Sequence, residues 1–457
     1  MADLEKINND IVALFRAGRD LLDKGNGACL NGCREEAFRN FEALKGVPYA
    51  TEDYMYLDLR EAFARDYHIP LKYIPQDIDI QKEFKCTVAD LDTQLLLMVN
   101  GWYFTGNPQY ELPEGVIICS MQEAERKYGD LLKKHYNQYA KAAEKDSLVS
   151  LNTAFAQDGI FIYVPDKVVL EKPLQIVNIL RAQRNLMAFQ RNLVVLGKQA
   201  KATILVCDHT LSEVDFLMNN ATEIFLDDHA DLDYYQVQNQ HVATCQINSV
   251  FVSQQRNTLF EGNIVSLYGG LIRNNLFAAL NKEGGNCVLN GVYILDKKQQ
   301  IDNFVHVDHI APHCQSNEHF KGVLDDASVG NFTGCIRVRP DAQKTEAYQA
   351  NNNLLLTNTA KMNAKPRLVI DADDVKCSHG ATVGQIDEEA MFYLRSRGIS
   401  KEEARLMMMF GFAHDIVGRI RLLPLREEID NMIDKRFRGE FSKCHNCILH
   451  CVKNEGC

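Results

Sequence analysis

The stretches CVLNGVYIL (287–295) and FVHVDHI (304–310) decide the fold class, because two short runs of β-branched and aromatic residues follow each other with only a turn between them. Similar runs, such as GIFIYV (159–164) and ATILVC (202–207), recur from about 150 to about 385. No amphipathic helix interrupts these strands, which excludes alternating strand and helix units. A β-sandwich or a β-solenoid fits the pattern, although roughly 230 residues is long for one sandwich.

Helical patterns precede the strands. Apolar residues at three- and four-residue steps predict a helix over residues 3–23, and further helices at 34–46 and near 121–143. A short mixed stretch lies between the second and third helices. The N-terminal third is therefore predicted to be mostly helical.

Helical patterns also follow the strands. Asp387 predicts the cap of a helix that Gly398 ends in a left-handed conformation, and Ser400 with Glu403 forms a capping box for the next helix. A last amphipathic helix is predicted from about Pro424.

These patterns divide the chain into four parts. Residues 1–149 form a mostly helical region, 150–386 the strand-rich core, 387–440 a C-terminal helical region and 441–457 a Cys-rich tail.

Composition and charge exclude several classes of function. The chain has 457 residues, with 50 basic and 61 acidic side chains and a net charge of -11, and no basic run is interleaved with aromatics, which disfavours nucleic-acid binding. MADLEKINND at the start lacks the features of a signal peptide, and apolar runs such as Leu95–Val99 are too short to span a bilayer. We therefore expect a soluble, cytoplasmic protein whose 14 cysteines are reduced.

Common catalytic and nucleotide-binding motifs are missing from the sequence. Gly197 and Lys198 are followed by Gln199, so no phosphate-binding P-loop is present, and GNGACL (25–30) does not match the dinucleotide fingerprint. Neither a G-x-S-x-G elbow nor an H-E-x-x-H helix occurs. We expect that the chain is not an enzyme and binds no nucleotide itself.

Cys377 and His379 are candidate metal or sulfur ligands. They lie two residues apart in DADDVKCSHGATVGQID (371–387), and residues two apart in a strand point to the same face. A partly buried cysteine beside a hydrogen-bonded histidine is the structural alternative. A second cluster, HVDHIAPHCQSNEH (306–319), is rich in histidine, but strand alternation directs His306 and His309 to opposite faces.

The tail KCHNCILHCVKNEGC (443–457) is a third candidate metal site. Cys444, Cys447 and Cys451 lie at i, i+3 and i+7, and Cys457 follows nearby. Three or four thiolates so close together suit zinc or an iron-sulfur cluster. Free thiols in a terminal segment are the alternative.

The helix predicted after Ser400 carries a broad apolar surface. Met407, Met408 and Phe410 widen it beyond what a single core contact requires, and methionine is common where helices meet adaptable partners. A partner-binding surface and an ordinary buried helix both fit this pattern.

Four long segments resemble the SufB and SufD family, the scaffold proteins of iron-sulfur cluster assembly. They are VKCSHGATVGQIDEEAMFYLRSRGISKEEARLM (375–407), LNTAFAQDGIFIYVPDKVVLEKPLQI (151–176), VDHIAPHCQSNEHFKGVLDDASVGNFTGCIRV (307–338) and AQKTEAYQANNNLLLT (342–357). Gly380, after the histidine, resembles the SufD branch more than the SufB branch. The Cys-rich tail is not part of the resemblance.

The resemblance implies a fold, partners and a site. It implies a right-handed parallel β-helix flanked by helical segments, in a complex with a SufB-like scaffold and a SufC-like ABC-type ATPase that docks on the C-terminal helices. It also implies that His379, with Cys377 beside it, lies at an interface between the two scaffolds, where iron or a transient iron-sulfur cluster is held. A homodimer in isolation is a further expectation.

Two other functions also fit the sequence. One is a SufB-like paralogue that accepts sulfur, which the Gly380 variant disfavours. The other is a β-helix enzyme acting on polysaccharides, which would need paired carboxylates in an open groove.

Overall fold

The computed structural model describes residues 3–75, 91–140 and 146–439. In these ranges the α-helices are α1 (Leu4–Lys24), α2 (Ala28–Ala43), α3 (Arg60–Phe63), α4 (Met121–His135), α5 (Ser147–Phe155), α6 (Glu388–Ser396), α7 (Lys401–Val417) and α8 (Leu423–Phe437). None of these described helices is both long and apolar enough to cross a membrane.

The strands of the same ranges are β1 (Gln94–Val99), β2 (Trp102–Tyr103), β3 (Ile117–Ser120), β4 (Ile160–Val164), β5 (Leu174–Leu180), β6 (Leu186–Leu196), β7 (Lys201–Thr210), β8 (Phe216–Leu226), β9 (Asp231–Asn239), β10 (Thr244–Gln254), β11 (Leu259–Tyr268), β12 (Leu271–Leu280), β13 (Asn286–Leu295), β14 (Gln300–His309), β15 (Gln315–Leu324), β16 (Val329–Val338), β17 (Glu346–Leu355), β18 (Lys361–Ile370) and β19 (Lys376–Gly384).

The strands form a parallel β-solenoid of two sheets. From β4 onward, successive strands alternate between the sheets, so that odd-numbered strands pair in one sheet and even-numbered strands in the other. Each coil adds one strand to each sheet in parallel register, as β6, β8 and β10 do. The predicted parallel β-helix is confirmed, and the sandwich alternative is wrong, because the pairs from β4 to β19 are all parallel.

Strands from the N-terminal part extend both sheets. β1 pairs in parallel with β5, and β3 pairs antiparallel with β4. These two strands come from the mixed stretch that precedes the strand-rich core in the sequence.

Polar as well as apolar side chains fill the coils. Ile, Leu, Val and Phe side chains form one continuous core along the solenoid. Among them lies the fully buried Asp208, whose carboxylate accepts hydrogen bonds from Asn178, Gln236 and Gln246 at 2.7 to 2.9 Å. Amide donors from neighbouring coils thus replace the water that this group loses on folding.

Helices cover the outer faces of both sheets. α7 and α8 pack on the odd-numbered sheet through residues such as Met409, Ile416 and Ile429, whereas α1, α2 and α5 pack on the even-numbered sheet. The predicted N-caps are confirmed, since Asp387 accepts from two backbone N–H groups of α6 and Ser400 Oγ accepts from Glu403 N–H at 3.1 Å. Only this half of the predicted capping box forms, because the Glu403 carboxylate pairs with Arg438 at 3.5 Å.

A buried ion pair fixes the loop that follows α4 to the solenoid. Arg191 on β6 donates to Glu223 on β8 at 2.6 Å, and both side chains are almost completely buried. Glu223 also accepts the backbone N–H groups of Asn137, Tyr139 and Ala140 at 2.8 to 3.1 Å. Through this one carboxylate, β8 is joined to β6 and to the loop that follows α4.

We expect Arg191→Met to lower the free energy of unfolding by about 3 to 5 kcal/mol, because it leaves the Glu223 carboxylate buried without its cation. The exposed pair between Lys201 and Asp231 gives the control, since Lys201→Met should change it by less than ~1 kcal/mol. Urea unfolding measures both variants. Equal urea midpoints for Arg191→Met and Lys201→Met would contradict a stabilising role of the buried ion pair.

Candidate functional site

The solenoid ends in an open coil that no further strand of the described residues covers. β18 and β19 are the terminal strands of their sheets, and within the described residues each pairs on one side only, with β16 and β17 respectively. The backbone after β19 enters α6, and α7 and α8 pack along the side of the solenoid. The N–H and C=O groups on the outer edges of both strands are therefore without strand partners there.

Cys377 and His379 continue the inner surface of the solenoid at this open end. On β19 they lie opposite Ala347 and Gln349 of β17, which are both buried inside the previous coil. Since facing residues in a parallel ladder point to the same side, Cys377 and His379 both face the axis of the solenoid. The strand places them on one face, as alternation predicts.

The two side chains differ in their surroundings. Cys377 is partly buried against a small apolar cluster that includes Ile336, Ala347 and Ala372, and this burial raises the pKa of its thiol. His379 is exposed. The imidazole is therefore the more accessible of the two potential ligands, and the thiol stays protonated at neutral pH.

Two polar residues occupy the positions that face His379 on the two preceding strands of the odd-numbered sheet. The three residues form one column across these strands. Glu318 on β15 faces Gln349, which in turn faces His379. The Gln349 side chain donates from Nε2 to the Glu318 carboxyl, and burial raises the pKa of Glu318 to about 8. Sequence reasoning missed both residues, because nothing local marks them and the three are separated by whole coils.

Apolar side chains surround the open end. Tyr348, Val369, Ile370 and Val383 are all more than a third exposed on the last three strands. Apolar side chains around unpaired strand edges form a surface suited to another protein.

The C-terminal helices carry a second exposed apolar surface. Met407 is exposed, whereas Met408 and Phe410 are partly buried and Phe410 packs against the core that joins α7 to the solenoid. The most exposed aromatic side chains are on α6, where Phe392 is 74% and Tyr393 58% exposed. Sequence reasoning did not select these two residues, because an aromatic residue in an amphipathic helix is usually buried.

The other side chains predicted as metal ligands do not form a metal site within the described residues. His309 is buried and lies 2.9 Å from Ser316 Oγ, and His319 instead faces Asp415 of α7. Across the described ranges, no three His, Cys, Asp or Glu side chains converge on a common point suited to a metal. The tail cysteines, Cys444, Cys447, Cys451 and Cys457, lie outside the described residues, so that prediction stays a prediction.

Two clefts lie near the opposite end of the molecule. One of about 550 Å³ is lined by residues such as Trp102, Tyr103 and the buried Asp158, whose pKa burial raises to about 7. Another, of about 780 Å³, contains Cys29 and Cys33 of α2. Neither cleft includes a residue that sequence analysis selected.

Comparison with known proteins identifies the relatives of the chain. Residues 178–412 match the family described as SUF system FeS cluster assembly, SufBD core domain, and residues 5–176 match the SufBD protein N-terminal region. The iron-sulfur cluster assembly protein SufD of Escherichia coli is 31% identical over 309 residues, which cover 65% of this chain and 71% of that protein.

Other relatives show a similar extent of likeness. The iron-sulfur cluster assembly protein SufD of Bacillus subtilis is 25% identical over 335 residues, 71% of this chain and 75% of its own length. The iron-sulfur cluster assembly SufBD family protein slr0076 of Synechocystis is 26% identical over 398 residues, 84% of this chain and 86% of its own.

The raised pKa of Glu318 predicts a pH dependence of stability. In the folded protein the Glu318 carboxyl keeps its proton up to about pH 8. In the unfolded chain the same carboxyl releases its proton near the ordinary pKa of 4.5. Between these values the unfolded state binds fewer protons, so the free energy of unfolding falls as the pH rises, by at most ~1.4 kcal/mol per pH unit.

Glu318→Gln removes this titration. We therefore expect the wild type to lose stability relative to Glu318→Gln between pH 5 and pH 8, measured as urea midpoints at several pH values. Parallel curves for the two proteins would contradict a buried, neutral Glu318.

Proposed function

We propose that this chain, which belongs to the SufBD family of iron-sulfur cluster assembly proteins, is a non-catalytic scaffold subunit that helps to hold iron or a nascent cluster in the cytoplasm. The observation that carries the proposal is the position of His379. It lies exposed beside Cys377 on the last strand of the solenoid, where the sheet has an unpaired edge.

The chemistry of the two side chains supports iron handling. A neutral imidazole nitrogen and a thiolate are suitable ligands for iron, and iron binding would displace the thiol proton of Cys377. The cluster is the cargo of this site, and the chain contributes ligands without transforming a substrate.

The same observations count against a sulfur-accepting role for this chain. A sulfur acceptor needs a nucleophilic thiolate, and the burial that raises the pKa of Cys377 disfavours that form. We therefore assign sulfur acceptance to a partner scaffold.

The open end is the proposed docking surface for that partner. A SufB-like scaffold can add its own strands to the edges of β18 and β19 and cover the apolar side chains of Ile370 and Val383. Docking there would enclose His379 between two chains. In the absence of this partner, a second copy can use the same edges and give a homodimer.

The C-terminal helices are the proposed docking surface for a SufC-like ABC-type ATPase. Phe392 and Tyr393 of α6 and Met407 of α7 are exposed apolar residues on this helical segment. Nucleotide binding and hydrolysis would then belong to the partner, and its movement would reach the scaffold through these helices.

We expect His379→Ala to stop cluster formation in cells while leaving the melting temperature and assembly with both partners nearly unchanged. The side chain is exposed and contributes little to the fold, but its neighbours cannot replace a lost ligand. Iron and sulfide content of the purified complex measures the result.

Cys377→Ala is the companion variant, and an equal loss of clusters would make the thiol a second ligand. A stable His379→Ala complex with normal cluster content would refute the ligand role, as would a variant that fails to assemble.

We expect Phe392→Asp combined with Met407→Asp to abolish co-purification of the ATPase, because a charge buried in an apolar interface is costly. The solenoid should melt at the same temperature, since both side chains are exposed. Val242→Asp, at an exposed apolar residue between two strands, is the control that should keep the ATPase. Retention of the ATPase by the double variant would rule out this surface.

A further inference from the structure

One column of the odd-numbered sheet connects the interior of the solenoid with the open end. Glu318, Gln349 and His379 occupy matching positions on β15, β17 and β19, so each is one strand spacing, about 4.8 Å, from the next along the backbone ladder. Glu318 and Gln349 are buried, and His379 is the exposed end of the column.

The Gln349 amide is held from two sides. Its Nε2 donates to the carboxyl of Glu318, so the NH₂ end of the amide faces the interior of the column. Across the coil, Gly334 of β16 leaves the space that the amide occupies, because a Cβ at this position would lie only 2.3 Å from Nε2 and 2.4 Å from Oε1. The orientation of this side chain is therefore set by its neighbours.

The amide oxygen has an unused acceptor. Gln349 Oε1 and Glu318 Oε1 are both buried and have no hydrogen-bond partner within the described part of the chain, so the proton of a neutral Glu318 can fill one of the two lone pairs of the amide oxygen and leaves the other for a second donor. An unsatisfied acceptor in a protein interior is unfavourable, so a donor that can reach it stabilises the arrangement. The next residue of the column is His379, whose ring nitrogens are the potential donors.

We propose that Gln349 is a positioning residue for His379, with Oε1 accepting the N–H of one imidazole nitrogen so that the other nitrogen keeps its lone pair free for a metal ion at the open end. The inference rests on the proposed role of His379 as a ligand. No hydrogen bond joins these two described side chains in this structure, so the exposed imidazole must rotate to make the contact.

The properties of Glu318 are consistent with this arrangement. Because burial raises its pKa to about 8, the carboxyl is largely neutral at pH 7 and places little negative charge beneath the ligand. Glu318 holds the Gln349 amide in place, and the amide oxygen then selects one tautomer of the His379 imidazole. In metal sites a hydrogen bond of this kind sets both the tautomer and the orientation of the ligating ring.

The test measures the tautomer of His379 by NMR in the full chain labelled with ¹⁵N-histidine, at a pH where the ring is neutral. His379→Ala identifies the signal. Gln349→Met removes the acceptor at similar volume, and Tyr348→Phe, at the adjacent residue facing the other side of the strand, is the control.

We expect one tautomer to predominate in the wild type and in Tyr348→Phe. In Gln349→Met the ratio of tautomers should fall about fivefold, the change that corresponds to a net hydrogen bond of ~1 kcal/mol. The same ratio in Gln349→Met and Tyr348→Phe would overturn the proposal.

A second variant keeps the test decisive if Gln349→Met does not fold. Gly334→Ala displaces the amide without changing Gln349 or His379, and it should lower the ratio in the same direction. An unchanged ratio in this variant would count against the proposal equally.

The tautomer ratio separates this inference from the proposed function. If His379→Ala stops cluster formation and Gln349→Met leaves the ratio unchanged, only the positioning role is wrong. If His379→Ala still builds clusters, the ligand role fails, and the ratio still reports whether Gln349 binds the imidazole.

Discussion

The structure depends on the in-register parallel ladder that joins each coil of the solenoid to the next. Because the strands of one sheet pair residue by residue, every side chain faces the same direction as the side chains directly above and below it. A position that faces the axis in one coil therefore does so in the coils on either side. The apolar core, the buried polar columns and the position of His379 all follow from this alignment.

The alignment also explains how polar groups are accommodated inside the coils. Asp208 is surrounded by amide side chains, and Glu318 binds the Gln349 amide, with each partner on a neighbouring coil or across the coil. An interior carboxyl without such partners would be unsatisfied and very unfavourable. The stacked coils supply donors at regular spacing, which allows the solenoid to bury several ionisable groups, including the pair of Arg191 and Glu223.

The candidate site is the place where this alignment stops. A residue at the position of His379 in an earlier coil would be covered by the next coil, as Gln349 is. On the last strand the same position is exposed, although its inner neighbours remain buried. An imidazole there combines access to solvent and partners with support from a fixed interior, which is the combination that a ligand in a shared site requires.

The sequence by itself determined the strand-rich region, the flanking helices and the caps at Asp387 and Ser400, because periodicity and capping depend on residues only a few positions apart. It also selected Cys377 and His379 as a pair on one face of a strand. Only the tertiary structure decided that this strand is the last one among the described residues, that Phe392 is exposed, and that Glu318 and Gln349 lie behind His379. Glu318, Gln349 and His379 are each about 30 positions from the next in the chain. Their alignment is set by coil length and strand pairing, which no local pattern specifies.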